Sequence, residues 1–214
     1  GVSYNTNTPP PNSACGWSVE LPATGSGSTT PAIETDEFYD PLSGTSNFTI
    51  MAWVKRESAS TASNQSARII SDVNLLSSSA DGVEFRFSGS TGKLAVRING
   101  VERSTSSAKV PPTNSVWTHI AVVYDGTRPA TNYNSRNVHF YINGIQRGTG
   151  NTLQGSVVDE NTNCFTLGNT SVSRGIGNTL VGKIDDVIVL ADVAPDAVGN
   201  GKTSEVIQCY MNLN

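Results

Sequence analysis

The chain has 214 residues, 36% of them hydrophobic and 15% charged, with a net charge of −4. A chain of this length buries a sizeable core and is commonly one domain when it is all-β. The composition is too apolar for a disordered polymer and too weakly charged for a nucleic-acid footprint, and no apolar run approaches the ~20 residues of a membrane-spanning helix.

Residues 1–14, G-V-S-Y-N-T-N-T-P-P-P-N-S-A, read as a linker, because consecutive prolines favour extended polyproline geometry. The chain opens in this polar tract rather than on a leader, so a mature or excised domain is expected, running from 15 to 214 and tethered to other modules of a parent protein. Trp17, Val19 and Leu21 alternate as a first strand. Phe48, Ile50, Ala52 and Val54 form one face of a second, with Met51 and Trp53 opposite. Ile69-Ile70 and Val83, Phe85, Phe87 give two further strands. Leu94–Ile98, Asn99-Gly100, Val101 is a hairpin, since both turn positions need positive φ and Asn-Gly supplies it.

Pro111-Pro112 breaks the chain before Trp117–Gly126, W-T-H-I-A-V-V-Y-D-G. In that segment Ile120, Val122 and Tyr124 share one face, and His119, Ala121 and Val123 the other. Both faces are apolar, which predicts a central strand covered on both sides. Asp125–Asn137 spends about a dozen residues, including Arg128, Pro129, Tyr133 and Arg136, before the second hairpin, Val138–Ile142, Asn143-Gly144, Ile145; long loops on rigid scaffolds often carry function. Phe165–Leu167 and the segment holding Ile184, Val187 and Val189 complete the strands. Thr203–Met211 suits a short terminal helix with Thr203 as its N-cap.

The segments F-T-I-M-A-W-V-K (48–55), R-I-I-S-D (68–72), G-K-L-A-V-R-I-N-G (92–100), W-T-H-I-A-V-V-Y-D-G (117–126), V-H-F-Y-I-N-G (138–144), F-T-L-G (165–168) and G-K-I-D-D-V-I-V-L (182–190) occur in a fixed order. In that order the chain, from about Trp17 to Ile207, resembles the laminin-G-like, concanavalin-A-like jelly rolls, in particular the bacterial three-part laminin-G group. The resemblance implies an all-β, two-sheet antiparallel jelly-roll sandwich. It fixes function less closely, because such domains include sugar-binding modules, adhesive modules and appendages of enzymes.

The cysteines are Cys15, Cys164 and Cys209, with no C-x-x-C, so a zinc or redox site is not expected. The resemblance implies that the chain ends approach, which makes Cys15–Cys209 the first pairing to consider. Three buried, unpaired thiols are the alternative.

Laminarinase-type relatives carry spaced carboxylates on one strand, at the roughly 5 Å separation that a retaining glycosidase uses. Glu34, Asp36 and Glu37 are the nearest match, but Phe38 and Tyr39 stand where the third carboxylate belongs, so an acidic surface loop is expected. Asp185 and Asp186 are adjacent and point to opposite sheet faces. His119 matches a structural histidine of the family's W-x-H-[VI]-A motif, while His139 could reach a sheet face. No G-x-S-x-G elbow, Walker A or G-x-G-x-x-G is present. A non-enzymatic protein is expected.

The resemblance also implies a structural Ca²⁺, with Asp185 as the side-chain ligand and backbone carbonyls near the N-terminus, for which Gly16 and Gly44 are the candidates. Sugar binding needs an aromatic ring to stack on a pyranose and planar polar groups to fix hydroxyls. Tyr133, Tyr39 and Trp53 are the aromatic candidates. Arg128 and Arg136 accompany Tyr133, and Arg68, Arg86 and Arg97 could line a sheet face, where convergence would favour an anionic glycan. Sequons at Asn47, Asn64 and Asn169 arise readily in so Ser/Thr-rich a chain.

The expected protein is therefore a carbohydrate-binding module of a larger secreted or cell-surface protein. It would bind a polysaccharide on the concave face or at the loop rim, with neither nucleic acid nor membrane as partner. An adhesion module that binds protein, or a spacer, is the alternative.

Overall fold

The computed structural model describes residues 3–9, 18–21, 33–35, 40–57, 67–73, 81–88, 92–104, 108–110, 116–128, 136–150, 155–158, 165–169, 179–192 and 207. Among them are β1 (Ser3–Asn5), β2 (Ser18–Leu21), β3 (Ile33–Glu34), β4 (Asn47–Arg56), β5 (Arg68–Ser71), β6 (Val83–Ser88), β7 (Lys93–Ile98), β8 (Val101–Ser104), β9 (Thr118–Asp125), β10 (Val138–Ile142), β11 (Ile145–Gly150), β12 (Thr166–Leu167) and β13 (Gly182–Ala191). They form a seven-stranded sheet, β1-β2-β13-β4-β9-β10-β11, and a six-stranded sheet, β3-β12-β5-β6-β7-β8. All pairings are antiparallel, as the alternating apolar patterns require.

The main core lies between the sheets. Phe48, Ile50, Ala52 and Val54 of β4 and Ile120, Val122 and Tyr124 of β9 meet Phe85 and Phe87 of β6 and Leu94, Val96 and Ile98 of β7. Phe48 and Tyr124 are cross-strand partners whose rings lie 5.2 Å apart. The opposite face of the seven-stranded sheet is also apolar. Met51, Ala121, Val123 and Tyr141 form a second cluster there, joined by Ile188, Leu190 and the buried Ile207. This confirms β9 as a central strand covered on both faces. Ile207 is helical; the rest of the expected terminal helix lies outside the described residues.

Both Asn-Gly turns are two-residue hairpin loops. Asn99 and Gly100 have φ of 46° and 80°, and Asn143 and Gly144 have φ of 50° and 72°, which fits the right-handed twist of the flanking strands. β13 contains a bulge between Asp185 and Ile188, with Asp186 at φ 45°. The bulge resolves the three-residue step from Ile184 to Val187, because the extra residue lets both side chains face the main core while Ile188 and Leu190 face outward.

The reading of 1–14 as a linker needs correction. Ser3–Asn5 pairs with β2 as an edge strand. The Asn5 amide donates to Glu20 (2.6 Å), and the Trp117 indole N–H donates to Asn7 Oδ1 (2.8 Å). Main-chain pairing and side-chain amides hold this polar segment, so its sequence carries no apolar period.

Candidate functional site

The loops at one end of the sandwich are tied into a polar rim. Gly126 N–H donates to Ser46 O (2.7 Å), Gly155 N–H to Gly126 O (3.1 Å), Val157 N–H to Thr45 O (2.8 Å) and Gly44 N–H to Val157 O (3.0 Å). The Tyr124 hydroxyl, at the end of its buried ring, donates to Gly155 O (2.8 Å). Gly126 must be glycine, because a Cβ there would overlap the Gly155 carbonyl and the Tyr124 hydroxyl. Asn99 does more than turn the β7–β8 hairpin: its amide donates to Ser156 O (2.9 Å) and its side-chain oxygen accepts from Val158 N–H (2.9 Å).

The long loop springs from this rim, and its base is closed by Asp125 N–H donating to Asn137 O (2.9 Å). Asp125 organises the near side. One carboxylate oxygen accepts from the Thr127 hydroxyl (2.6 Å) and the other from Arg128 Nε (2.7 Å). With its amide nitrogen turned toward Asp125, Asn47 donates to the same carboxylate and to Ser46 O, both at 2.9 Å. On the far side His139 Nε2–H donates to Arg136 O (2.9 Å), and Nδ1 accepts from Gln146 (3.4 Å). Burial lowers the His139 pKa; the Arg128 charge lowers it further, and the Arg136 carbonyl and Asp125 oppose the shift. Arg128 and Arg136 therefore stand at the two feet of one loop.

Tyr133 and Tyr39, like Gly16 and the three cysteines, lie outside the described residues. The sheet-face candidates are corrected. Trp53 is 7% exposed and packs edge-on to His119, with ring centroids 5.3 Å apart, so it presents no stacking face. Arg86 is buried between Glu84 (2.6 Å) and Glu102. Arg97 lies 3.7 Å from Glu102, and Arg68 lies 3.2 Å from the fully buried Glu84. The arginines do converge, but on glutamates from neighbouring strands. Alternation places residues on a face and says nothing of partners across the register.

Of the expected calcium ligands only Asp185 and Gly44 are described, and they stand apart. Asp185 pairs with Trp53 deep along β4, whereas Gly44 precedes that strand; at ~3.3 Å per residue the two are about 20 Å apart. Asp185 Oδ1 accepts the Asp186 N–H (2.9 Å), a use set by the bulge. The sequon residue Asn169 is fully buried and donates to Thr179 (3.1 Å).

Several buried charges escaped the sequence reading, Arg56 and Asp72 among them. Arg56 continues the inward face of β4 to the far end of the core, fully buried, with its guanidinium 4.1 Å from the Phe87 ring centroid and Nη1 donating to Val110 O (3.0 Å). Burial pushes its pKa down to about 10. The Phe48–Val54 alternation, extended by one step, would have found it. Asp72, the last residue of R-I-I-S-D, is 3% exposed at the rim end, where its Oδ1 accepts the Val83 N–H.

The family model described as the Concanavalin A-like lectin/glucanases superfamily (Laminin_G_3) matches residues 26–196. The chain belongs to this superfamily. No curated protein matches it. Among solved structures, a heptameric SAP-like pentraxin from Limulus polyphemus superposes with a TM-score of 0.60 at 15% identity, covering 90% of this chain and 82% of the other. Domain 4 of AbnA, an extracellular arabinanase from Geobacillus stearothermophilus seen with arabinotriose, gives 0.58 at 16% identity, covering 97% and 88%. The CBM40 domain of a Ruminococcus gnavus sialidase, bound to α2,3-sialyllactose, gives 0.55 at 14% identity, covering 77% and 83%. At these identities the likeness establishes a concanavalin A-like sandwich. The family match sits inside the span from Trp17 to Ile207 that the ordered motifs outlined.

Proposed function

We propose that this domain is a non-catalytic carbohydrate-binding module of an extracellular or cell-surface protein, and that it holds its glycan at the loop rim. The observation that carries the reading is the placement of Arg128 and Arg136 at the two feet of the 129–135 loop, on a frame of carboxylate, amide and hydroxyl groups. Planar polar groups of this kind orient sugar hydroxyls, and a loop aromatic such as Tyr133 would supply the stacking surface. The burial of Trp53, Arg68 and Arg86 argues for the rim over either sheet. The likeness to domain 4 of the arabinanase and to the sialidase CBM40, each solved with a bound saccharide, supports the ligand class. Single-site affinity is expected in the weak range, Kd ~10⁻³–10⁻⁶ M, strengthened by multivalency in the parent protein.

A glycan array probed with the isolated domain, with calcium and again with a chelator, tests the reading. Retention on one polysaccharide class, lost in Arg128→Ala at an unchanged melting temperature, supports it. An array without binding in either condition overturns it and leaves protein adhesion or spacing as the role.

A further inference from the structure

A pocket of about 280 Å³ opens between the two sheets beside the β3–β12 edge. On the seven-stranded sheet, β2 pairs with Gly182, Lys183 and Ile184. Past the bulge, Val187 and Val189 of β13 face the intersheet space with no described strand on that side. On the six-stranded sheet, β3 and β12 are two residues long and give a narrow cover. Their cross-strand partners Ile33 and Leu167 share the side that faces Val187 and Val189, and Phe165 and Pro41 complete the apolar wall. Hydrogen bonds hold this frame in place. The Thr166 hydroxyl stands 2.7 Å from the carbonyls of Ser71 and Asn169, Gly168 N–H donates to Ile69 O (3.0 Å), and Leu180 N–H donates to Gly168 O (2.8 Å). Thr35 is the one polar residue of the described wall. Its N–H (3.0 Å) and its hydroxyl (3.2 Å) both donate to Phe165 O, and the hydroxyl oxygen accepts the Phe165 N–H (3.1 Å). The chain's own backbone thus takes up that hydroxyl, and no charged side chain stands in the described wall.

We propose that this pocket binds a free, uncharged apolar molecule of about ten carbon atoms. A cavity of ~150 Å³ walled by aliphatic and aromatic side chains stays dry and takes benzene, so a pocket of about 280 Å³ has room for two fused rings. A sugar or an ion would leave its polar groups unpaired against this wall, at the cost of their lost hydration. A protein partner fits less well. A stable interface needs roughly 800 Å² on each side, and none of the large hydrophobic residues exposed among the described ones, Tyr4, Val116, Ile145 and Val158, lines the pocket. The site does not rest on the glycan reading, because Arg128 and Arg136 flank the loop between β9 and β10, and β9 lies two strands from β13.

The test is titration of the full chain with indene, a two-ring hydrocarbon, followed by calorimetry and by the backbone amide shifts in nitrogen–proton NMR spectra. Val189→Phe, which fills the pocket, and Arg128→Ala, at the rim, are run alongside. One indene per chain is expected, with Kd ~10⁻⁴–10⁻³ M for so few atoms, and the shifts should centre on Leu167, Val187 and Val189. Val189→Phe should weaken binding at least 10-fold, while Arg128→Ala binds as the parent does. If Val189→Phe does not fold, the location of the shifts in the parent decides. A parent whose amides ignore indene up to its solubility limit overturns the proposal, as does equal binding by parent and Val189→Phe. A parent that dimerises with rising concentration while Val189→Phe stays monomeric overturns it in favour of a second copy as the occupant.

Discussion

His119 makes stability depend on pH in a window that can be stated in advance. The ring lies on β9 beneath Trp53, 2% exposed, with Nδ1 buried and without a hydrogen-bond partner among the described residues. Burial alone lowers its pKa from 6.5 to about 4. The folded pKa is below the unfolded one, so in this window the unfolded chain binds more protons and stability falls as pH falls. At pH 7.5 the ring is neutral in both states. At pH 5 the unfolded ring is nearly all charged and the folded one mostly neutral, a loss of about 2 kcal/mol. For a domain of this size that is a fall of roughly 4–8 °C in melting temperature. His119→Phe keeps the ring against Trp53 and removes the titration. Urea denaturation of both proteins at pH 7.5 and pH 5 cancels the carboxylates and His139, which titrate in each. The variant should lose about 2 kcal/mol less than the parent over that interval. Parallel losses in the two proteins would falsify the assignment of a neutral, desolvated His119.

Among the described residues, Arg56 is a buried cation with one hydrogen bond and a ring beneath it but no carboxylate. Arg56→Met should leave unfolding free energy within ~1 kcal/mol of the parent or raise it, because apolar replacement of a buried ion removes its desolvation cost; a larger drop in urea melts would show that the guanidinium itself stabilises the fold. Glu84 is the reverse case, a fully buried acid between Arg68 and Arg86. Glu84→Gln removes the carboxylate that Arg68 faces and leaves Arg86 with Glu102, and should cost about 3–5 kcal/mol. A cost below ~1 kcal/mol would mean that solvent reaches this face more freely than the burial of Arg68 implies.

The parts of this molecule that could be read in advance are those governed by local rules. Asn99-Gly100 and Asn143-Gly144 announce their turns because few residues accept φ values near 50–80°. Tyr124 and Tyr141 declare themselves as core by their place in alternating runs, and both are buried. The site is less legible because it rests on partners distant in the chain. Arg86 and Arg97 look like a ligand-ready face until Glu84 and Glu102 arrive from the register. Asp72 looks like the polar end of a strand until the Val83 N–H meets its carboxylate. Polar Ser3–Asn5 has no period to read and becomes a strand only because β2 offers an unpaired edge.

The position of β13 bears on how the chain reaches this structure. The hairpins β7–β8 and β10–β11 close within a few residues, and such units form in about 1–10 μs. The seven-stranded sheet cannot close that way: β4 must wait for β13, synthesised more than a hundred residues later, and among the described strands β2 in turn pairs with β13 and the short β1 alone. Until β13 docks, β4 has an open edge and β2 no place in the sheet. Assembly thus has a fast local stage and a slow, late step governed by the meeting of distant segments, and in that interval the exposed edge of β4 is the surface a chaperone would have to guard.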